Sequence, residues 1–219
     1  MLQKILLSYI TPSLLFLNII YPIDIQKYDY SETNYLEKNI PIIKNYMKTN
    51  QIIKENNIIF FGEYPDNSNN KILLELLMYH ARNVNKKEKL FLALEMVSSD
   101  KQTILNQFNN YKINSKILLD KLDWVNNWKY LPNLYSYVFD IAKKNNIELI
   151  GIDIPNKSKD YKKADNGNLL RETWMAHEIL KYYKIFPKSK IIVYTEHDLS
   201  KNYEIPLILN NLSNQKKKN

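Results

Sequence analysis

Four short apolar runs constrain this chain most: IIFF (58–61), LFLAL (90–94), IELIGI (147–152) and KIIVY (190–194). None alternates polar with apolar residues, as a strand with one wet face would. A strand that reads as a continuous apolar run is covered on both faces, which is the condition of parallel sheets flanked by helices. The segments between the runs carry helical spacing. KILLELLMYHARNV is amphipathic and follows Asp66, Asn67 and Ser68, each able to cap it. SSDKQTILNQFNNY, a stretch around Lys116 to Leu122, LPNLYSYVFDIAKKNN and NLLRETWMAHEILKYYK supply further helices, and a short one is expected from about Pro206. The predicted fold is α/β, a three-layer α/β/α sandwich with a mainly parallel sheet and right-handed crossovers.

Each run ends in an acid: Glu63, Glu95, Asp153, and Glu196 beside His197. Parallel strands point one way, so these termini line one edge, and ligands of open α/β sheets bind beyond the carboxyl ends of the strands. An acid there often only caps the next helix, but Glu95 is followed by Met96 and Val97, which points to burial. Converging carboxylates can bind a hard divalent cation, share protons as a general acid beside a general base, or hydrogen-bond a polar ligand. His197 adds a nitrogen ligand or proton shuttle. His80 and His177 fall inside helical patterns, where helix-surface or core-edge positions are expected.

Composition closes several routes. Glycine stands only at 62, 151 and 167, so no Gly-rich phosphate loop is available. HExxH and the G-x-S-x-G elbow are missing. With no cysteine, disulfides, thiolate metal sites, thiol nucleophiles and a lipid-bearing cysteine are excluded. The formal charge of +8 comes from scattered lysines, with only Arg82 and Arg171 as arginines. A solvated lysine-rich surface is expected, and no nucleic-acid partner, because aromatic–basic interleaving is missing. At the N-terminus Lys4 precedes an apolar stretch from Ile5 to Ile20, the layout of a secretory signal or short anchor. Pro12 and Asn18 interrupt it, no small-x-small cleavage site follows, and it is short for a relaxed membrane span; a helix packed on the domain is the other reading. The expected organisation is a signal peptide or anchor over 1–25, an α/β domain over 26–212 and a basic disordered tail over 213–219. The expected location is exported, periplasmic or membrane-associated, without anchoring through Cys.

GEYPDN, ALEM with Asp100-Lys101-Gln102 close behind, Trp124…Trp128-Lys129-Tyr130-Leu131-Pro132, GIDIP, RETWMA and EHDLSKNYEIP follow one another in order. This series resembles the ChaN-like haem-binding, iron-regulated family, related to the Tiki and erythromycin-esterase superfamily, over roughly 56–210. The resemblance implies an α/β fold, an exported or membrane-anchored location, and haem as a cofactor in iron acquisition. It also implies a homodimer that holds a flat ligand between copies, and outer-membrane haem-uptake machinery as a partner. Matched to the family's motifs, Tyr130 and Tyr203 become haem-binding candidates, with His197; Tyr64 occupies a position that varies in the family. A phenolate can ligate ferric iron. Metal-dependent or acid–base hydrolases of the superfamily would use Glu63, Glu95 and His197 as catalytic residues, with no metal assigned, and a degenerate scaffold with neither activity is the third reading. Against the family pattern, Pro65 stands where histidine is usual, Tyr194-Thr195-Glu196 replaces a glycine-containing stretch, Asp198 and Leu199 stand where Arg is expected, and Glu172 replaces Asp. Pro65 also holds Tyr64 extended.

Overall fold

The computed structural model describes residues 14–17, 53–63, 74–83 except 76 and 80, 87–155 except 129, 167–196, and 205–209 except 207. The strands are β1 (Leu14–Leu17), β2 (Ile58–Glu63), β3 (Leu90–Ser98), β4 (Ile147–Asp153) and β5 (Lys190–Glu196). They form one sheet in the order β1-β2-β5-β3-β4, parallel throughout. The chain is therefore the α/β sandwich expected. The apolar runs occupy the interior: Ile58, Ile59, Leu92, Ala93, Ile192 and Val193 are all fully buried. Leu14–Leu17 lies within the stretch read as a leader or anchor, and its backbone pairs in register with Ile58–Phe61.

Alternation along the strands divides two cores. One face carries Ile59, Phe61, Leu92, Leu94, Ile192 and Tyr194. Against it pack α1 (Gln102–Asn109), α2 (Ser115–Lys121), the single turn α3 (Trp124–Asn127) and α4 (Pro132–Lys144). The other face carries Ile58, Phe60, Phe91, Ala93, Ile191 and Val193. It is covered by α5 (Gly167–Ile185) through Met175, Ala176, Ile179 and Leu180. Local chemistry sets the helix starts: the Asn114 side chain accepts from the Ile117 N–H at 2.9 Å to cap α2, and Pro132 begins α4 where a missing N–H costs nothing.

The β4 edge is closed by side chains. Asn109 both donates to the Leu149 carbonyl and accepts from the Leu149 N–H, each at 2.9 Å. Gln102, two turns earlier on α1, accepts from the Gly151 N–H at 3.0 Å and donates to the Leu149 carbonyl at 3.2 Å. Two amides thus stand in for a neighbouring strand, which protects an edge that would otherwise offer free backbone groups.

Candidate functional site

The strand termini do share one rim. Glu63 and Glu196 are register partners at the ends of β2 and β5. The next two strands are irregular: Leu94 pairs with Gly151 and Ser98 with Asp153, so residues 95–97 of β3 face Ile152 alone. This bulge re-aims the chain at the rim, a device common beside functional sites. It also explains Gly151. A Cβ there would sit 2.8 Å from the Ser98 carbonyl oxygen and 2.9 Å from that of Val97. Only a residue without a side chain lets the bulged strand close on β4.

Glu95 enters the bulge 1% exposed. A carboxylate so buried needs a partner, and α5 provides it. Arg171 donates through Nη2 to Glu95 Oε1 at 2.9 Å. The same guanidinium grips Asp153, with Nε to Oδ1 at 2.7 Å and Nη2 to Oδ2 at 3.1 Å. Asp153 Oδ1 also accepts from the Ile154 N–H at 2.8 Å. One planar fork therefore ties β3, β4 and α5 together. Burial works against the charge on Arg171, but the hydrogen bond and charge of Asp153, then those of Glu95, more than offset it and hold the guanidinium protonated well above its ordinary range. On the neighbouring strand β5 the fully buried Thr195 hydroxyl has no hydrogen-bond partner among the described residues. Trp174, one turn beyond Arg171, donates its indole N–H to Ser99 Oγ at 3.1 Å.

Of the residues expected at the site, Glu95 lies in the rim and Glu63 has its backbone there. The side chains of Glu63 and Glu196 lie outside the described residues, as do Tyr64, Pro65, His197 and Tyr203 in full. Tyr130 stands apart from Glu95: it packs on the α1–α4 face of the sheet, opposite α5. Tyr130 is half-buried, with its ring 5.6 Å from that of Trp128, and Trp124 donates to its carbonyl at 3.3 Å. The Trp128 indole N–H beside it is buried with no partner among the described residues. His177 is exposed on α5, as expected of a helix-surface position. The residue that sequence reasoning missed is Arg171. The signal was its rarity: in a chain with 31 basic residues and only two arginines, each arginine marks a place where a rigid fork does what lysine cannot. Arg82 is the other, donating to the carbonyls of Asn145 at 2.7 Å, Glu88 at 3.3 Å and Asn146.

A family described as "Haem-binding uptake, Tiki superfamily, ChaN" matches residues 50–167, more than half of the chain. The chain belongs to this ChaN family. No curated protein matches it. Among solved structures it is similar to ChaN of Campylobacter jejuni, for which cofacial haem binding is described. That pair has 14% identity and a TM-score of 0.58, with 76% of this chain and 80% of that one covered. It is also similar to the type III effector HopBA1, at 15% identity and TM-score 0.54, covering 69% and 71% of the two chains. The C-terminal region of Pasteurella multocida toxin, described with a thiol-protease-like triad, matches at 16% identity and TM-score 0.53, over 80% of this chain and 24% of that one. At these identities the likenesses establish the α/β fold. Thiol chemistry does not carry over, because this ChaN-family chain has no cysteine.

Haem needs an iron ligand, an apolar wall and groups for its propionates. A groove of about 610 Å³ between α2 and α4 fails this test: neither tyrosine nor histidine lines it, and Asp120 and Asp123 would repel propionates. The Tyr130 region fits better. The half-buried Tyr130 has its ring 5.6 Å from that of Trp128, which packs in turn on the buried Trp124 at 6.4 Å.

Proposed function

We propose that the chain is an exported or membrane-tethered haem-binding protein acting in haem or iron acquisition. The family match over residues 50–167 carries the haem-binding part of this reading; export rests on the apolar N-terminal stretch after Lys4. Bound haem would supply a ferric iron that takes a phenolate or imidazole ligand. Tyr130 is the candidate that falls within the described residues, and Tyr64, Tyr203 and His197 are the others. The half-buried Trp128 would form part of the wall that excludes water from the porphyrin face. A homodimer with haem between its copies is proposed by analogy with the cofacial binding of ChaN from Campylobacter jejuni. Outer-membrane haem-uptake machinery is the proposed source or recipient of the ligand.

Titration of the purified chain with ferric haem tests the reading. A saturable Soret band is expected, shifted by Phe at the ligating position among Tyr130, Tyr64 and Tyr203 or by Ala at His197. Saturable binding indifferent to all four changes would remove the ligand assignment; no binding would remove the function. For export, a mature N-terminus near residue 25 supports the reading, and a chain recovered from the cytoplasm with Met1 intact overturns it.

A hydrolase using Glu63, Glu95 and His197 is the second reading, supported by the shared rim of β2, β3 and β5. Arg171 weighs against it, since a carboxylate held by a guanidinium is a poor proton donor. Retention of any detected hydrolysis by Glu63→Ala and Glu95→Ala variants would end it.

A further inference from the structure

The rim opposite the acids repeats their pattern with the other sign. Lys54 stands in the helical turn before β2, Lys87 in the connection before β3, Lys144 at the end of α4 before β4, and Lys188 in the turn before β5. All four are exposed, and none of their ammonium groups has a hydrogen bond or ion pair among the described residues. Because the four strands are parallel neighbours in the order β2-β5-β3-β4, the four lysines fall on one edge. At the usual strand spacing that row is roughly 15 Å long. Helix carboxyl termini attract basic residues to this edge in any such fold. Here other side chains already meet that need: Lys190 donates to the Asn56 carbonyl at 2.7 Å and Arg82 to that of Asn145. The four free ammonium groups cap nothing.

We propose that this amino edge of the sheet is a docking surface for an anionic lipid bilayer. Point-charge lysines on a shallow edge suit a plane of headgroups, where each cation near the surface adds attraction. Ile185, 60% exposed at the end of α5 between Lys184 and Lys188, gives the edge an apolar side chain for the headgroup boundary. Nucleic acid fits less well. Its readers use arginine forks and stacking aromatics, and both arginines here are bound to carbonyls or carboxylates. Docked this way, the molecule turns the acidic rim away from the membrane, open to an arriving ligand. The inference does not depend on haem binding.

The test is co-sedimentation of the full chain with phosphatidylcholine vesicles, with or without phosphatidylglycerol. The readout is the ratio of anionic to neutral partitioning, because an inserted N-terminal segment would add equally to both. The ratio should be well above one and fall with added salt. A Lys87→Glu/Lys188→Glu variant should lower it at least about thirtyfold, while Lys101→Glu/Lys121→Glu, equal in charge change but off this edge, should lower it far less. Since all of these lysines lie at least partly exposed, both variants should keep the wild-type melting curve. A ratio near one, equal damage from both pairs, or tighter binding to a duplex oligonucleotide than to anionic vesicles each overturns the proposal.

Discussion

Replacing Arg171 by Met tests the electrostatic centre of the molecule. The methionine keeps much of the side chain's volume but takes from Glu95, 1% exposed, the guanidinium that donates to it at 2.9 Å. Breaking a buried ion pair by removing one partner costs about 3–5 kcal/mol. Arg171 is 23% exposed and Asp153 21%, so water reaches part of the network. The expected loss is therefore nearer about 2–3 kcal/mol, or roughly 5–10 °C in Tm for a chain of this size. The pH dependence has a definite sign. A buried carboxylate that loses a paired cation has its folded pKa raised. The variant's Glu95 therefore binds a proton more readily when folded, and its stability deficit shrinks as pH falls from neutral into that window. Urea denaturation of both proteins from pH 7 to about pH 5 reads this directly. A second change, Glu95→Gln added to Arg171→Met, removes the buried charge and should restore part of the loss at pH 7. A deficit below about 1 kcal/mol, or a double variant weaker than the single, refutes the picture of Arg171 as the ion that makes Glu95 tolerable.

Three further outcomes follow from the same geometry. Gly151→Ala should cost about 1–3 kcal/mol in urea denaturation, because the new methyl meets the backbone carbonyls of Ser98 and Val97 rather than a movable side chain; a neutral result would mean the bulge relaxes freely. Asn109→Ala should lose about 1–2 kcal/mol for its two bonds to Leu149, and Gln102→Ala/Asn109→Ala should also raise aggregation on heating, measured by light scattering, since it opens the β4 edge. Lys190, only 4% exposed, has its pKa lowered by burial, with the charge of Glu88 opposing. Between that lowered value and the ordinary lysine value the unfolded chain binds more protons, so wild-type stability gains a rising component with pH there. Lys190→Met should abolish that component in denaturation curves taken across the alkaline range.

The sheet was legible because burial on both faces leaves a local mark: a run such as IIFF has no polar residue to turn outward. The strand ends were nearly as clear, since an acid must escape or be paired, and Glu95 showed its burial through Met96 and Val97. What the sequence did not show was pairing across distance. Arg171 is 76 residues from Glu95 and meets it only because α5 crosses the face of the sheet beside β3 and β4. Nor did the sequence show that Tyr130 lies on the opposite face of the sheet from Arg171. Motif order places residues along the chain, whereas the face of the sheet a helix covers is fixed by the hand of each crossover. The bulge was also invisible. Three residues opposing one is a property of two strands, and the one local trace was Gly151, whose reason lies in β3.

Parallel topology converts a pattern along the chain into a polarity in space. Lysine, apolar run, acid is a motif of little information when it occurs once, because polar residues flank most buried strands. Repeated on four neighbouring parallel strands, it places Lys54, Lys87, Lys144 and Lys188 on one edge and the strand-end acids on the other, although Glu55 and Glu88 share the lysine edge. An antiparallel sheet would have mixed the signs and cancelled the field. The acids can then act on a ligand only in proportion to what Arg171 leaves uncompensated: it faces Glu95 and Asp153 on β3 and β4, while Glu63 and Glu196 end the adjacent β2 and β5. Any cation or proton taken up at that rim should therefore bind toward the β2–β5 side. Changes at Glu63 or Glu196 should alter such uptake more than changes at Asp153, whose charge is already bound in the fold.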